Sequence, residues 1–343
     1  KFFSMKKLLL FSILFLQCYL GVTYAQNCIP IAIVFSTQAQ VDNFPTDYPG
    51  CTIIDGNVGI TGSNISNLNG LSQITTIGGS VQIINTSSLV NLNGLSGLTE
   101  IGGNLKFQDV TNLSNIQGLN SLTHIGGGLR FENVSGLFAI NGLNNLVTIG
   151  NEFYIINTSI ALISGLNSLT YIGGSVDFYC DGDITGMNSL IRTGGHFYKS
   201  YGSIVGLQNL QTIGGSCNLY SPSGISGLMN LDTIIGVLNL FQVISFSGAV
   251  LDDIEYVGSD ITLSGNFVVL PNFMTLDTIN GNLELFNMPN ISNISGFNSL
   301  LKIAGTLRIS GNTTLVSIAG FQNLQQVNEL RIEYHNFLSA ISG

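Results

Sequence analysis

The stretch LVNLNGLSGLTEIGGNLKFQDVTNLSNIQGLNSLTHIGGGLRFENV, Leu89 to Val134, states one pattern twice. Leu92-Asn93-Gly94-Leu95 is followed by Ile101-Gly102-Gly103 and then by Leu105-Lys106-Phe107. Ile116-Gln117-Gly118-Leu119, Ile125-Gly126-Gly127 and Leu129-Arg130-Phe131 follow 24 residues on. A fixed internal period of this size marks a stack of repeated units.

The apolar residue before the glycine pair carries the period along the chain. It recurs at Ile54, Ile77, Ile101, Ile125, Ile149, Ile172, Thr193, Ile213, Ile234, Val257, Ile279, Ile303 and Val327, thirteen copies spaced by 20 to 24 residues. After each copy comes a short alternating stretch such as Val81-Gln82-Ile83 or Leu283-Glu284-Leu285. Apolar-polar-apolar alternation is a half-buried strand. One strand per repeat makes successive strands parallel neighbours, and about 20 residues leave little room for a helix. The expected fold is therefore all-β, a parallel β-solenoid of about thirteen coils of 20–24 residues, rising about 4.8 Å per coil. A single column, Val81, Leu105, Leu129, Phe153, Val176, Phe197, Cys217 and Leu238, is expected to be buried throughout.

Other positions repeat too. The glycine of the apolar-X-Gly-Leu element, as in Ile140-Asn141-Gly142-Leu143, suits a corner or a close backbone approach. Asn85, Asp109, Asn133, Asn157 and Asn287 share the place just after the strand. Stacked asparagines can form a hydrogen-bonded ladder, or simply favour a turn.

The chain of 343 residues carries only 8% charged residues and a net charge of −9. With 45% hydrophobic residues it is not a disordered polymer. No basic stripe exists to neutralise phosphates, which excludes nucleic acid as a partner. Met5-Lys6-Lys7, the apolar run Leu8 to Val22 and the small Ala25 read as a signal peptide over 5–25. The run is short for a membrane span of about 20 residues, and no transmembrane segment is expected in the mature chain. Gln17 before Cys18 is too bulky for a lipid-attachment motif. Lys1 to Ser4 precede Met5, and Ser339 to Gly343 resemble the start of another repeat. An open-ended, C-terminally truncated piece is therefore expected, with a capping segment at 26–52 and the solenoid at 53–343. Export places the cysteines in an oxidising space. Cys28 and Cys51 flank the capping segment and are expected to pair; Cys180 and Cys217 fall two coils apart, about 9–10 Å, and are not.

The motif LxGLxxLxxIGGxLxI resembles the receptor L-domain repeat, a right-handed β-solenoid related to leucine-rich repeats and known from insulin- and EGF-receptor ectodomains. It also resembles long secreted versions of that domain from Bacteroidetes-type bacteria. The opening CIPIAIVFSTQAQVDNFPTDYPGCTIIDGNVGI is similar to the lead-in of those versions, and the resemblance spans roughly 28 to 343. The dense cysteine pattern of the animal receptors is missing, so their ligands do not carry over. The resemblance implies an exported protein, secreted or held on the outer cell surface.

Catalytic chemistry is thinly represented. His124, His196 and His335 are far apart, and none is expected to meet a serine or cysteine as a triad. Asp177, Asp181 and Asp183 are the best acidic group, yet CDGDITG lacks a full calcium-loop ligand set. Asp252, Asp253, Glu255 and Asp260 read as a solvated turn. No metal, cofactor or catalytic residue is assigned. Threonines at 148, 212, 233 and 278 share a column, but Glu100, His124, Tyr171, Arg192 and Lys302 interrupt the regular array an ice-binding face needs.

The outward strand positions vary instead. Tyr154, Tyr179, Tyr198, Tyr220 and Phe241 gather on one face of the middle coils, with Tyr201 beside them. Clustered exposed rings suit recognition, or else brace the sheet against each other. These six are the candidate ligand-binding residues. The expected function is non-catalytic binding or adhesion to a glycan or protein partner, with a carbohydrate-active lyase or hydrolase and an ice-binding solenoid as alternatives. The coils from Asp181 to Phe241 are 20 or 21 residues long and lack the turn seen as Asn85 to Leu89, which should reshape the stack there.

Overall fold

The structure is a computed structural model and describes residues 26–29, 31–243, 246 and 250–342. The expected signal peptide at 5–25 lies outside them.

Two parallel ladders run the length of the stack. One joins the short strands before the glycine pair, for example Glu100–Ile101, His124–Ile125 and Thr148–Ile149. The other joins the strands after it, from Val81–Ile84 through Leu105–Gln108 and Leu129–Glu132 onward. A third side holds 3-10 turns in the early coils, Asn69–Leu71, Asn93–Leu95 and Gln117–Leu119. From Ala139–Ile140 to Gly224–Ile225 that side becomes a ladder of its own. The protein is a nearly all-β solenoid with parallel coils.

Register follows the repeat. Val81, Leu105, Leu129, Phe153, Val176, Phe197, Cys217 and Leu238 pair in one unbroken column and are fully buried. Burying one such aliphatic side chain contributes about 1.5–3 kcal/mol, against the conformational entropy of ordering each coil. The glycines of the Gly-Leu element serve close approach: a Cβ at Gly94 would overlap the Leu68 carbonyl of the preceding coil. The Asn column does both things expected of it. Asn85, Asp109, Asn133, Asn157 and Asn287 have φ of 51–55°, and Asn133 donates to Asp109 at 2.8 Å while Asn157 donates to Asn133 at 3.2 Å.

The lead-in contains an element the repeat reading did not foresee, a helix at Gln38–Asp47. Thr37 caps it, with Gln40 closing a capping box. It buries Val41 and Phe44 against the first coil, where Gly70 lets the turn approach the Val41 carbonyl. Cys28 and Cys51 are disulfide-bonded, with Cα atoms 5.5 Å apart. Cys180 and Cys217 are free and buried.

Two positions depart from the simple inside-outside alternation. Lys199 takes the inward place held by Phe178 before it and Leu219 after it, and is fully buried. Ser200 and Ser264, on the outward side of their strands, are only 8% and 9% exposed because larger neighbours close over them.

The shortened coils explain Lys199. In a long coil the strand Phe153–Ile156 is followed by five residues before Leu162–Ile163; after Phe197–Ser200 only Tyr201 and Gly202 precede Ser203–Ile204. That corner is turned with φ of 50° at Tyr201 and 65° at Gly202. The corner's carbonyls then face inward, and the Lys199 ammonium receives three of them: Cys180 and Ser200 at 2.8 Å, Tyr201 at 2.7 Å. Three donors meet three acceptors, so the buried charge is fully hydrogen-bonded.

Candidate functional site

The outer aromatic residues form a connected ladder. Arg130 lies 4.7 Å from the Tyr154 ring centroid, and Tyr154 leans on Tyr179 at 5.9 Å. Tyr179 meets Tyr198 at 4.5 Å, Tyr198 meets Tyr220 at 5.4 Å, and Tyr220 stacks on Phe241 at 4.9 Å and 16°. Such ring contacts contribute about 0.5–1.5 kcal/mol each beyond area burial. Arg130 also pairs with Glu132 and Glu152, and Lys106 with Glu132. The rings therefore brace one another, and edges more than faces meet the solvent. Burial is the main reason the Tyr179 and Tyr198 phenols are held above the ordinary tyrosine range, with the nearby Asp177 charge acting the same way.

The shortened corners create relief beside this ladder. A groove of about 590 Å³ opens there. One wall is Tyr198, Tyr201, Tyr220 and Phe241; Gln242, Asn266, Asn287 and Pro289 line it further along, with Ser200, Ser221 and Ser264 among them. The coils past Ser264 are longer again, which raises Asn266 and Pro289 at one end. At the other end Asn157 to Ala161 of a long coil face Tyr179 and Asp181 across a second hollow of about 300 Å³.

The six candidate residues thus divide. Tyr198, Tyr201, Tyr220 and Phe241 line the groove, Tyr179 lines the second hollow, and Tyr154 is taken up by Arg130 and Tyr179. Tyr201 is the most open of the six at 56% exposure. Sequence reasoning missed the amides Gln242, Asn266 and Asn287; their only signal was placement at the corner after the strand. No residue lining the groove carries a carboxylate, an ammonium or a guanidinium.

One expectation is corrected. His196 does meet a serine: Ser175 Oγ is 3.0 Å from its Nδ1, and Asp177 Oδ1 is 2.8 Å from its Nε2. Each residue is one coil away in sequence, a distance the register closes. Ser175 occupies the place after the glycine pair where, in other coils, a side chain accepts the next coil's N–H, as Ser80 does from Asn104 at 3.0 Å. The neighbouring N–H groups of Val176, Gly195 and Phe197 already donate to the carbonyls of His196, Gly174 and Ser216. They leave no pair of donors for an oxyanion. The three aspartates do not converge: Asp177 binds His196, Asp183 accepts from the Ser203 N–H at 2.6 Å, and no metal-binding group occurs among the described residues.

Residues 50–122 match the family model described as Receptor L domain. No curated protein matches the chain. A solved structure described as a TLR13–ssRNA13 complex is similar over 90% of this chain and 52% of its own, at 16% identity and a TM-score of 0.35. The chain spans about half the length of that neighbour. The matched segment covers the capped first coils, and the same repeat continues beyond it; the chain is an L-domain-like solenoid.

Proposed function

We propose that this L-domain-like solenoid is a non-catalytic binding protein, exported and either secreted or displayed on the outer cell surface, that holds a neutral glycan in the groove beside its aromatic ladder. The lining of that groove carries the reading. Tyrosine and phenylalanine rings combine with amides and hydroxyls and with no ionised group. Sugars offer the complement: C–H faces for rings and hydroxyl edges for amides. The Receptor L domain match supports a ligand-binding scaffold, and the sequence of 5–25 supports export.

The test is a glycan array, comparing wild type with the combined variant Tyr198→Ala, Tyr201→Ala, Tyr220→Ala and Phe241→Ala. Neutral oligosaccharides should bind wild type and be lost from the variant while its circular dichroism is retained. Binding only to acidic glycans, or only to proteins, overturns the neutral-glycan assignment. The hydrolase alternative has one observation in its favour, the Ser175–His196–Asp177 contact. Cleavage of an array glycan that His196→Ala abolishes would put that reading in place of this one.

A further inference from the structure

The aromatic ladder has a missing rung. In the outward strand column Tyr220 pairs with Phe241, Phe241 with Ser264, and Ser264 with Phe286. Up to Phe241 the rings touch; Tyr220 and Phe241 stack at 4.9 Å. Ser200 interrupts the same column earlier, but there Tyr198, on the adjacent outward position, supplies the ring and joins Tyr179 to Tyr220. At Ser264 the adjacent outward position is Thr262, so no ring is supplied. Phe241 and Phe286 stand two coils apart, about 9–10 Å. Ring pairs settle with centroids roughly 4.5–7 Å apart. The gap therefore has room for one flat six-membered ring and not for two.

Its surroundings define what that ring is. Phe241 and Ser264 line the groove, as do Gln242 and Asn287 at the corners directly after Phe241 and Phe286. Phe286 has Arg308 over its ring at 6.0 Å, from the following coil, which leaves the side towards Ser264 to the gap. Amides at the mouth match hydroxyl groups at the edge of a pyranose. No ionised side chain lines the opening to hold a sulfate, carboxylate or amine.

Resting on the glycan reading above, we infer that the Ser264 gap between Phe241 and Phe286 is a subsite for one uncharged pyranose unit, sandwiched between the two rings as a substitute rung. The rest of the glycan lies along the groove towards Tyr220 and Tyr201.

The decisive variant is Ser264→Phe, which supplies the absent rung in a column already built of aromatic residues. It should reduce binding of the neutral oligosaccharides found on the array at least tenfold, whereas Ser264→Ala should bind within twofold of wild type. Phe286→Ala removes one wall without touching the groove lining and should also cost at least tenfold; this second variant stands if Ser264→Phe fails to fold. Titration calorimetry with the best-binding array oligosaccharide reads all three. If Ser264→Phe and Phe286→Ala bind like wild type while the combined groove variant has lost binding, the subsite is wrong and the groove reading survives. If wild type binds no neutral glycan, both fall together.

Discussion

The Lys199 ammonium donates to the Tyr201 carbonyl at 2.7 Å, from inside a column otherwise filled by residues such as Phe178 and Leu219. A cation in that place supports the tight corner that carries Tyr201 into the groove. Removing the donor leaves three inward carbonyls unsatisfied, each costing about 1–3 kcal/mol where burial is complete. Lys199→Met keeps the volume and loses the bonds. Its urea midpoint should fall by the equivalent of roughly 2–5 kcal/mol, and glycan binding should weaken with it as Tyr201 shifts. Unchanged stability would mean the corner holds its shape without the ammonium.

The same residue gives a pH dependence. Burial pulls the Lys199 ammonium below its ordinary value of 10.5, against the opposing influence of Cys180, Asp181 and Asp183. Below the folded value both states hold the proton, and the folded state bears the cost of the buried charge. Between the folded value and 10.5 the unfolded chain holds more protons, so stability gains with pH there. The stability of wild type relative to Lys199→Met should therefore rise as pH climbs towards 10.5. Paired urea titrations across that range measure it, and a flat difference removes the inference.

The ladder phenols shift the other way. Burial holds Tyr179 and Tyr198 above the ordinary tyrosine value of 10.0. The folded state therefore keeps the protonated phenol, and that contribution is fully present below 10.0 and lost as pH rises through the raised values. In an absorbance titration of phenolate, two groups should ionise later than the bulk. Tyr179→Phe and Tyr198→Phe should each delete one late group.

Burial also silences the free thiols. Cys217 is pushed up to about 12 by desolvation, and Cys180 is raised as well, chiefly by burial. Thiolate is the reactive form. Iodoacetamide at pH 8 should leave Cys180 and Cys217 unmodified in the native protein, and label both once urea opens the coils. Peptide mapping reads the outcome; fast native labelling at position 217 would place that column in solvent.

Much of this fold was legible because a solenoid writes its register into its spacing. The offset from the glycine pair fixed the buried column from Val81 to Leu238, and the same offset fixed which face Tyr220 and Phe241 share. What escaped were features set by departures from the repeat. Lys199 was invisible as a core residue because its charge contradicts its place, and only the inward carbonyls of the Tyr201 corner explain it. The Ser175–His196 contact needed coordinates because its members are 21 residues apart and joined only by stacking. The helix Gln38–Asp47 hid in a segment without helical periodicity, although Thr37 and Gln40 spell a capping box. The groove itself follows from chain lengths: shortening was readable, but its consequence depends on where Asn266 and Pro289 rise beside it.

The bond between Cys28 and Cys51 closes a separation of 23 residues that contains the whole capping helix. A cross-link of that span constrains the unfolded chain by about 3 kcal/mol. Solenoid coils interact with their nearest neighbours, so the loss should be local. In the variant Cys28→Ser with Cys51→Ser, hydrogen exchange should speed up over Gln38–Asp47 and over the first coil beneath it, where Val41 meets the turn at Gly70. Amides of Leu129–Glu132, several coils away, should exchange as in wild type. The aromatic groove lies further still along the stack, and its glycan affinity should be unchanged at temperatures where the middle coils stay folded. Uniform loss of protection from Gln38 to the Leu129 strand would show that the stack unfolds as one unit, and that the disulfide supports all of it.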